Sequence, residues 1–175
     1  MIVLMGVAGA GKSMQGRLLA DERGYAWIST GEILRVLVTG KRRQEMLAGQ
    51  LLSDAEMIRM MDRVFDLIDL DEEFILDGFP RTLKQADWLI DQVEMGRFKV
   101  TAVIHLTASE ELVLSRLTQR GRQDDTEDAI RTRFEEYEAV TLPILEDFRK
   151  RGIAVHDINA APAPEVVHDK IAELI

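Results

Sequence analysis

The chain has no cysteine, which excludes disulfides and thiolate metal sites. Its three histidines, His105, His156 and His168, lie apart without metal-ligand spacing, and none is nominated as a general base. His105 reads as a strand residue with a satisfied ring. Basic residues are the minority, 22 against 31 acidic ones, for a net charge of -9. That balance argues against broad binding of nucleic acid or anionic membrane, yet leaves room for a small basic pocket. No apolar run reaches the roughly 18 residues of a membrane span. The opening MIVLMGVAGAG also lacks the basic leader and cleavage signal of an export peptide, so a soluble cytoplasmic protein is expected. The glycines follow no repeat period, and no low-complexity tract or linker divides the chain. One domain over residues 1–175 is expected, with 46% hydrophobic residues to build its core.

Apolar runs alternate with helical patterns. Strands are expected at 2–5, 26–28, 73–76, 100–106 and 153–158. Helices are expected at 12–23, from Ser29 or Thr30 to 38, at 41–48, and from Asp54 to about Leu70 behind a Ser53 cap. Further helices are expected at 82–95, 109–119, 125–150 with a bend near Pro143, and 164–174. The group Met57, Met60 and Met61 reads as helix packing, and so does Tyr137, spaced from Phe134. Apolar strand cores joined through helices imply a three-layer α/β unit with a mostly parallel sheet. Ligands of such sheets gather beyond the carboxyl ends of the strands, where Gly6 and Asp77 fall.

GVAGAGKS, residues 6–13, has the GxxxxGK[ST] spacing of a phosphate-binding loop between a strand and a helix. Gly6, Gly9 and Gly11 permit a tight turn whose N–H groups cradle phosphate oxygens. Lys12 can reach the β- and γ-phosphates, and Ser13 is the candidate Mg²⁺ contact. Asp77, directly after the apolar strand FIL, can organise Mg²⁺ through water. Phosphoryl transfer needs alignment and positive charge more than covalent help, which makes the arginines informative. Arg35, Arg81, Arg116, Arg120, Arg122, Arg131 and Arg133 all lie near breaks in the fold. RLTQRGRQDDTEDAIRTRF, residues 116–134, reads as a small cover in which a glycine hinge separates two basic helix ends. Arg131 is the weakest of these, because Glu127 and Glu135 lie at helical pairing distance.

Five ordered blocks carry a resemblance over nearly the whole chain: GVAGAGKSMQG, ISTGEILR, GQLLSD, LDGFPRTLKQA, and RLTQRGRQDD with IRTRFEEY. The chain resembles adenylate kinases of the short-lid type, within the nucleoside monophosphate kinases. The resemblance implies a P-loop kinase fold with a five-stranded parallel sheet in strand order 2-3-1-4-5. It also implies the reaction ATP + AMP ⇌ 2 ADP with Mg²⁺, a mobile AMP-binding segment at 30–60, and a short lid at 120–126. Gly9, Ala10, Gly11, Lys12, Ser13 and Met14 would then wrap the ATP phosphates. Arg116 and Arg120 would contact ATP, and Pro162 would lie near its adenine. Thr30, Arg35, Leu51 and Leu52 would meet AMP, with Gly78, Phe79, Pro80 and Arg81 around its phosphate and Gln85 reading its base. Arg122 and Arg133 would close on the transferring phosphates, and Asp77 would hold the hydrated metal.

A glutamine amide can both donate to and accept from a purine edge, so Gln85 suits adenine. Uridylate–cytidylate kinases usually carry asparagine-rich replacements after DGFPR and alanine in the STG block, so Thr30, Thr82 and Gln85 favour AMP. Three features depart from the family pattern. Ala8, Ser13 and Met14 stand where GxPGxGKGTQ has proline, glycine and threonine, which moves a hydroxyl one residue earlier. Glu32 replaces the aspartate of STGD. GRQDD leaves no room for a zinc knuckle, so no structural zinc is expected. A monomer is expected, with ATP, AMP and ADP as its partners. The alternative readings are a kinase for another nucleoside monophosphate and a nucleotide-binding regulatory protein with impaired catalysis.

Overall fold

A computed structural model describes residues 1–47, 52–122 and 125–175. The strands are β1 (Ile2–Met5), β2 (Ala26–Ser29), β3 (Phe74–Asp77), β4 (Ala102–Thr107) and β5 (Val155–Asn159). All pairings are parallel, in the order β2-β3-β1-β4-β5. The observed strands keep within two residues of the expected bounds.

The pleat sends alternate side chains to opposite faces, and each face is covered by helices. Val3, Met5, Phe74, Leu76 and Val103 point one way, onto α4 (Asp54–Phe65), α5 (Leu83–Glu94) and α8 (Leu142–Lys150). Ile2, Leu4, Ile75, Ile104 and Leu106 point the other way. They meet α1 (Lys12–Arg23), α6 (Glu110–Arg120), α7 (Glu127–Glu136) and α9 (Pro164–Ala172). This is the three-layer arrangement of a doubly covered parallel sheet. Met57 and Met61 are buried in the first layer and Met60 packs against it, as the helical spacing implied.

Two short helices, α2 (Thr30–Leu37) and α3 (Gly40–Leu47), leave the end of β2 and lead toward α4. Ser53 caps α4 through a reciprocal pair with Glu56. That helix stops at Phe65, about a turn before Leu70. Acidic groups at a helix carboxyl end oppose its dipole, and Asp66, Asp69 and Asp71 crowd this one. The Asp69 carboxylate also accepts from the Asp71 N–H at 3.0 Å, which draws the chain into a turn.

The expected helix over 125–150 is instead α7, a π turn at Tyr137–Thr141, and α8. The Leu142 N–H bonds back to the Tyr137 carbonyl, five residues away. Pro143 then sits in the first turn of α8, where its missing N–H is tolerated. The irregularity therefore falls one turn ahead of the proline.

Central β1 lies between β3 and β4, with Leu4 opposite Asp77. The phosphate-loop sequence and the DGFPR sequence therefore leave adjacent strands at the same edge. Gly6 has φ of 141°, and a Cβ there would lie 2.5 Å from the Leu106 carbonyl oxygen. Only glycine lets the chain leave β1 so close to β4.

Candidate active site

Beyond the carboxyl edge of the sheet opens a cleft of about 1100 Å³. Its floor is the loop from β1 to α1. Lys12 folds over this loop and donates to the carbonyls of Gly6 (2.6 Å) and Val7 (3.0 Å). Burial pushes the Lys12 ammonium down from 10.5 to about 8. Asp77 opposes that shift, while Arg81 and Arg120 add to it.

A bound polyphosphate restores the positive charge. Above pH 8 the binding of a polyphosphate to Lys12 would therefore take up a proton, and its affinity should fall by up to about tenfold per pH unit. Calorimetry at pH 9 in buffers of different ionisation enthalpy should register that proton. An uptake of zero would sink the assignment of Lys12 to the phosphates.

Ser13 donates its hydroxyl to the Asp77 carboxylate at 2.7 Å, and Asp77 is 2% exposed at the end of β3. One carboxylate and one hydroxyl beside a phosphate cradle suit Mg²⁺, which keeps several waters and takes its remaining ligands from substrate phosphates. Among the described residues no cluster of three or more histidines and carboxylates could hold a metal by itself.

On one side of the cleft stand the residues of α6 and the segment leading into α7. Arg116 donates to the Ala160 carbonyl at 2.8 Å, which brings it beside Pro162. Arg120 clasps Asp125 through two bonds of 2.8 and 2.6 Å. The same carboxylate accepts from the Arg122 N–H and lies 3.6 Å from Arg133. Burial alone would raise the Asp125 carboxyl, but Arg120 and its neighbours hold it below the usual carboxylate range.

The opposite side is built by α2 and the loop after β3. Arg81 donates through Nε to the Gly78 carbonyl at 2.9 Å. Burial lowers the Arg81 pKa from its ordinary value; Asp77 and Glu136 counter this, whereas Arg133 and Arg35 reinforce it. Arg35 pairs with Glu32 at 2.5 Å. Glu32 also faces Arg122 at 3.6 Å and Arg17 at 3.7 Å, so it spans the two sides. Burial would raise the Glu32 carboxyl, and Arg35 foremost brings it below its usual value. The Gln85 amide lines the cleft with its Nε2 bonded to Asp54 and its Oε1 to the Arg81 N–H, each at 2.8 Å.

The cleft thus gathers Gly9 through Met14, Arg35, Leu52, Asp77, Gly78, Arg81, Gln85, Arg116, Arg120, Arg122, Arg133 and Pro162. Leu51 lies outside the described residues. Three expected AMP contacts are placed differently. Thr30 is fully buried against the loop after β3 and donates to the Gly78 carbonyl at 2.9 Å. Phe79 packs edge-on against Trp88 in the core, and Pro80 is buried beside it. These three support the cleft without lining it.

Sequence reasoning passed over Arg17, Asp54 and Asp125. The two aspartates stand inside the quoted blocks GQLLSD and GRQDD, but their partners lie on other segments. Away from the cleft, His105 is satisfied on both nitrogens, by Asp157 at 2.6 Å and by the Tyr137 hydroxyl. Burial pushes that hydroxyl's pKa up. Among the described residues no helix is long and apolar enough to cross a membrane.

A family model described as adenylate kinase matches residues 4–153. The adenylate kinase of Corynebacterium urealyticum is 38% identical over 172 residues, covering 91% of this chain and 95% of that protein. That of a Mycobacterium species is 38% identical over 154 residues, covering 85% of each. That of Prochlorococcus marinus is 33% identical over 182 residues, covering 99% and 97%. The matched span runs from β1 past α8 and includes the phosphate loop, the acidic strand end and the ring of arginines. With that extent of match and that sheet order, the chain belongs to the adenylate kinase family.

Proposed function

We propose that the two sides of the cleft take the two substrates of reversible phosphoryl transfer, ATP + AMP ⇌ 2 ADP. The observation that carries this division is the placement of two arginine groups on opposite sides of one phosphate loop. Gly9, Ala10, Gly11, Lys12, Ser13 and Met14 hold the ATP phosphates, while Arg116 and Arg120 flank the nucleotide and Pro162 lies near its base. Arg35 and Arg81 hold the AMP phosphate above Gly78, and Gln85 reads adenine beside Leu52. Arg122 and Arg133 meet the group in transit.

An oxygen of the AMP phosphate attacks the γ-phosphorus of ATP in line, and the bond to the β-phosphate oxygen breaks. The acceptor phosphate is already anionic, so no protein base is needed. The guanidinium groups and Lys12 stabilise the charge spread over the equatorial oxygens. Ser13 and Asp77 would hold hydrated Mg²⁺, which when bound offsets charge on the phosphate oxygens. Closure of residues 30–60 and 120–126 shuts out water, so that transfer to water does not compete. A soluble cytoplasmic monomer fits this chemistry.

Steady-state kinetics with ATP as donor and AMP, UMP, CMP and GMP as acceptors test the reading. AMP should give the highest kcat/KM. A poor rate with AMP beside a good rate with a pyrimidine nucleotide would assign the enzyme another acceptor. Binding of ATP and AMP without ADP formation would instead favour a regulatory protein.

A further inference from the structure

The Gln85 amide is not free to turn over. Its Nε2 donates to Asp54 Oδ1 at 2.8 Å, and its Oε1 accepts from the Arg81 backbone N–H at 2.8 Å. The same Asp54 oxygen accepts from the Thr82 hydroxyl at 2.8 Å. That hydroxyl in turn accepts from the Gln85 backbone N–H at 3.2 Å, so its own proton is committed to Asp54. Turning the amide by 180° would set Oε1 against a carboxylate and Nε2 against an N–H. Both ends would then face a group of their own kind, with acceptor against acceptor and donor against donor. Gln85 is 3% exposed, so water cannot relieve either clash.

We infer that Asp54 is a specificity-determining positioning residue: it locks the Gln85 amide in the one orientation that matches adenine. Two Gln85 valences remain for a ligand, one Nε2 hydrogen and one Oε1 lone pair. The 6-amino group and N1 of adenine offer a donor beside an acceptor, which complements that pair. Hypoxanthine and guanine offer a carbonyl at position 6 and a hydrogen on N1, the opposite pattern. A rotatable glutamine would serve both patterns equally. A locked one leaves two mismatched polar contacts with a 6-oxopurine, and a site with fixed buried polar groups discriminates strongly against such mismatches.

The lock also ties base choice to α4. Asp54 occupies the first turn of that helix, behind the Ser53 cap, and reaches across to the N-terminus of α5. Its position 28 and 31 residues from its partners explains why no local sequence pattern marks it. This inference rests on the reading of Gln85 as the base-recognising residue, and its test separates the two.

The experiment compares kcat/KM for AMP and IMP, with ATP as donor, in the wild type, Asp54→Asn and Gln85→Leu. Asparagine keeps the size of Asp54 but can present either an oxygen or an N–H to Gln85, so of the two restraints on the amide only the Arg81 backbone N–H remains. Asp54→Asn should lower efficiency with AMP, raise it with IMP, and reduce the AMP:IMP ratio by about tenfold or more, the worth of one charge-assisted hydrogen bond. A residue that only braced the fold would depress both acceptors together and leave the ratio unchanged. Should asparagine disturb the helix start, seen as a lowered unfolding temperature, Asp54→Ser serves the same comparison, since its shorter side chain withdraws the acceptor from Gln85 Nε2. An unchanged ratio at position 54 beside a collapsed ratio in Gln85→Leu would overturn the lock. An unchanged ratio in Gln85→Leu would overturn the reading of Gln85 itself, and the lock with it.

Discussion

Arg81→Ala should lower kcat/KM for AMP on the order of 10³-fold while leaving the unfolding temperature unchanged or slightly raised. The two halves of this expectation come from the same surroundings. Burial lowers the Arg81 pKa, Asp77 opposes that shift, and Arg133 and Arg35 add to it. The Arg81 charge is therefore uncomfortable among those neighbours, and an acceptor phosphate held there would relieve that discomfort. Removing the side chain would delete the donor proposed to meet the acceptor phosphate and also a costly, half-buried cation. The Gly78 carbonyl that Arg81 occupies keeps its bond from Thr30 at 2.9 Å, so the turn retains a partner. Arg81→Lys should recover only part of the activity, because a single ammonium cannot reproduce the fork that grips a phosphate. Near-normal AMP efficiency in Arg81→Ala would remove this residue from the acceptor clamp.

Much of this site was readable because its chemistry is contiguous in the chain. The loop from Gly6 to Ser13 carries strand end, turn and helix start within eight residues, so spacing alone announces a phosphate site. Asp77 follows its strand directly and was readable for the same reason. The strand order came through the five-block resemblance, since alternating strands and helices specify a parallel sheet but not which strand lies in the middle.

Less readable was how deep each residue of a block would sit. Thr30, Phe79 and Pro80 belong to the same motifs as Arg35, Gly78 and Arg81, yet the first three face the core. The direction of a side chain leaving a strand end depends on the next turn, which periodicity does not encode. Long-range polar partners were hidden for a different reason. Asp125 anchors Arg120 and faces Arg133, and Asp54 anchors Gln85, through contacts set only once separate helices pack together. The expected end of α4 overshoots because apolar spacing continues to Ile68 and Leu70, past the carboxylates at Asp66 and Asp69, while the helix ends at Phe65.

Lys12→Met should abolish most turnover, on the order of 10³-fold or more, while making the protein more stable at neutral pH. The loop places one ammonium group over two carbonyls, those of Gly6 and Val7, in the loop proposed to hold the ATP phosphates. Methionine fills the same volume without the charge. Ser13 cannot take over, because its hydroxyl is committed to Asp77, and Met14 offers no hydroxyl where the family has threonine. The sign of the stability change follows from the Lys12 pKa, about 8 in the folded protein against 10.5 for the free side chain. Below pH 8 both folded and unfolded chains carry the proton, and the folded state bears the full cost of burying it. That cost is on the order of 3 kcal/mol, partly offset by the two carbonyl bonds. Between pH 8 and 10.5 the folded lysine sheds its proton before the unfolded one does, and the cost fades. Denaturant unfolding of the wild type should therefore show stability climbing through that window relative to Lys12→Met, with the variant ahead below it. Parallel curves for the two proteins would mean that Lys12 bears no burial cost, and that the loop does not hold it poised for a phosphate.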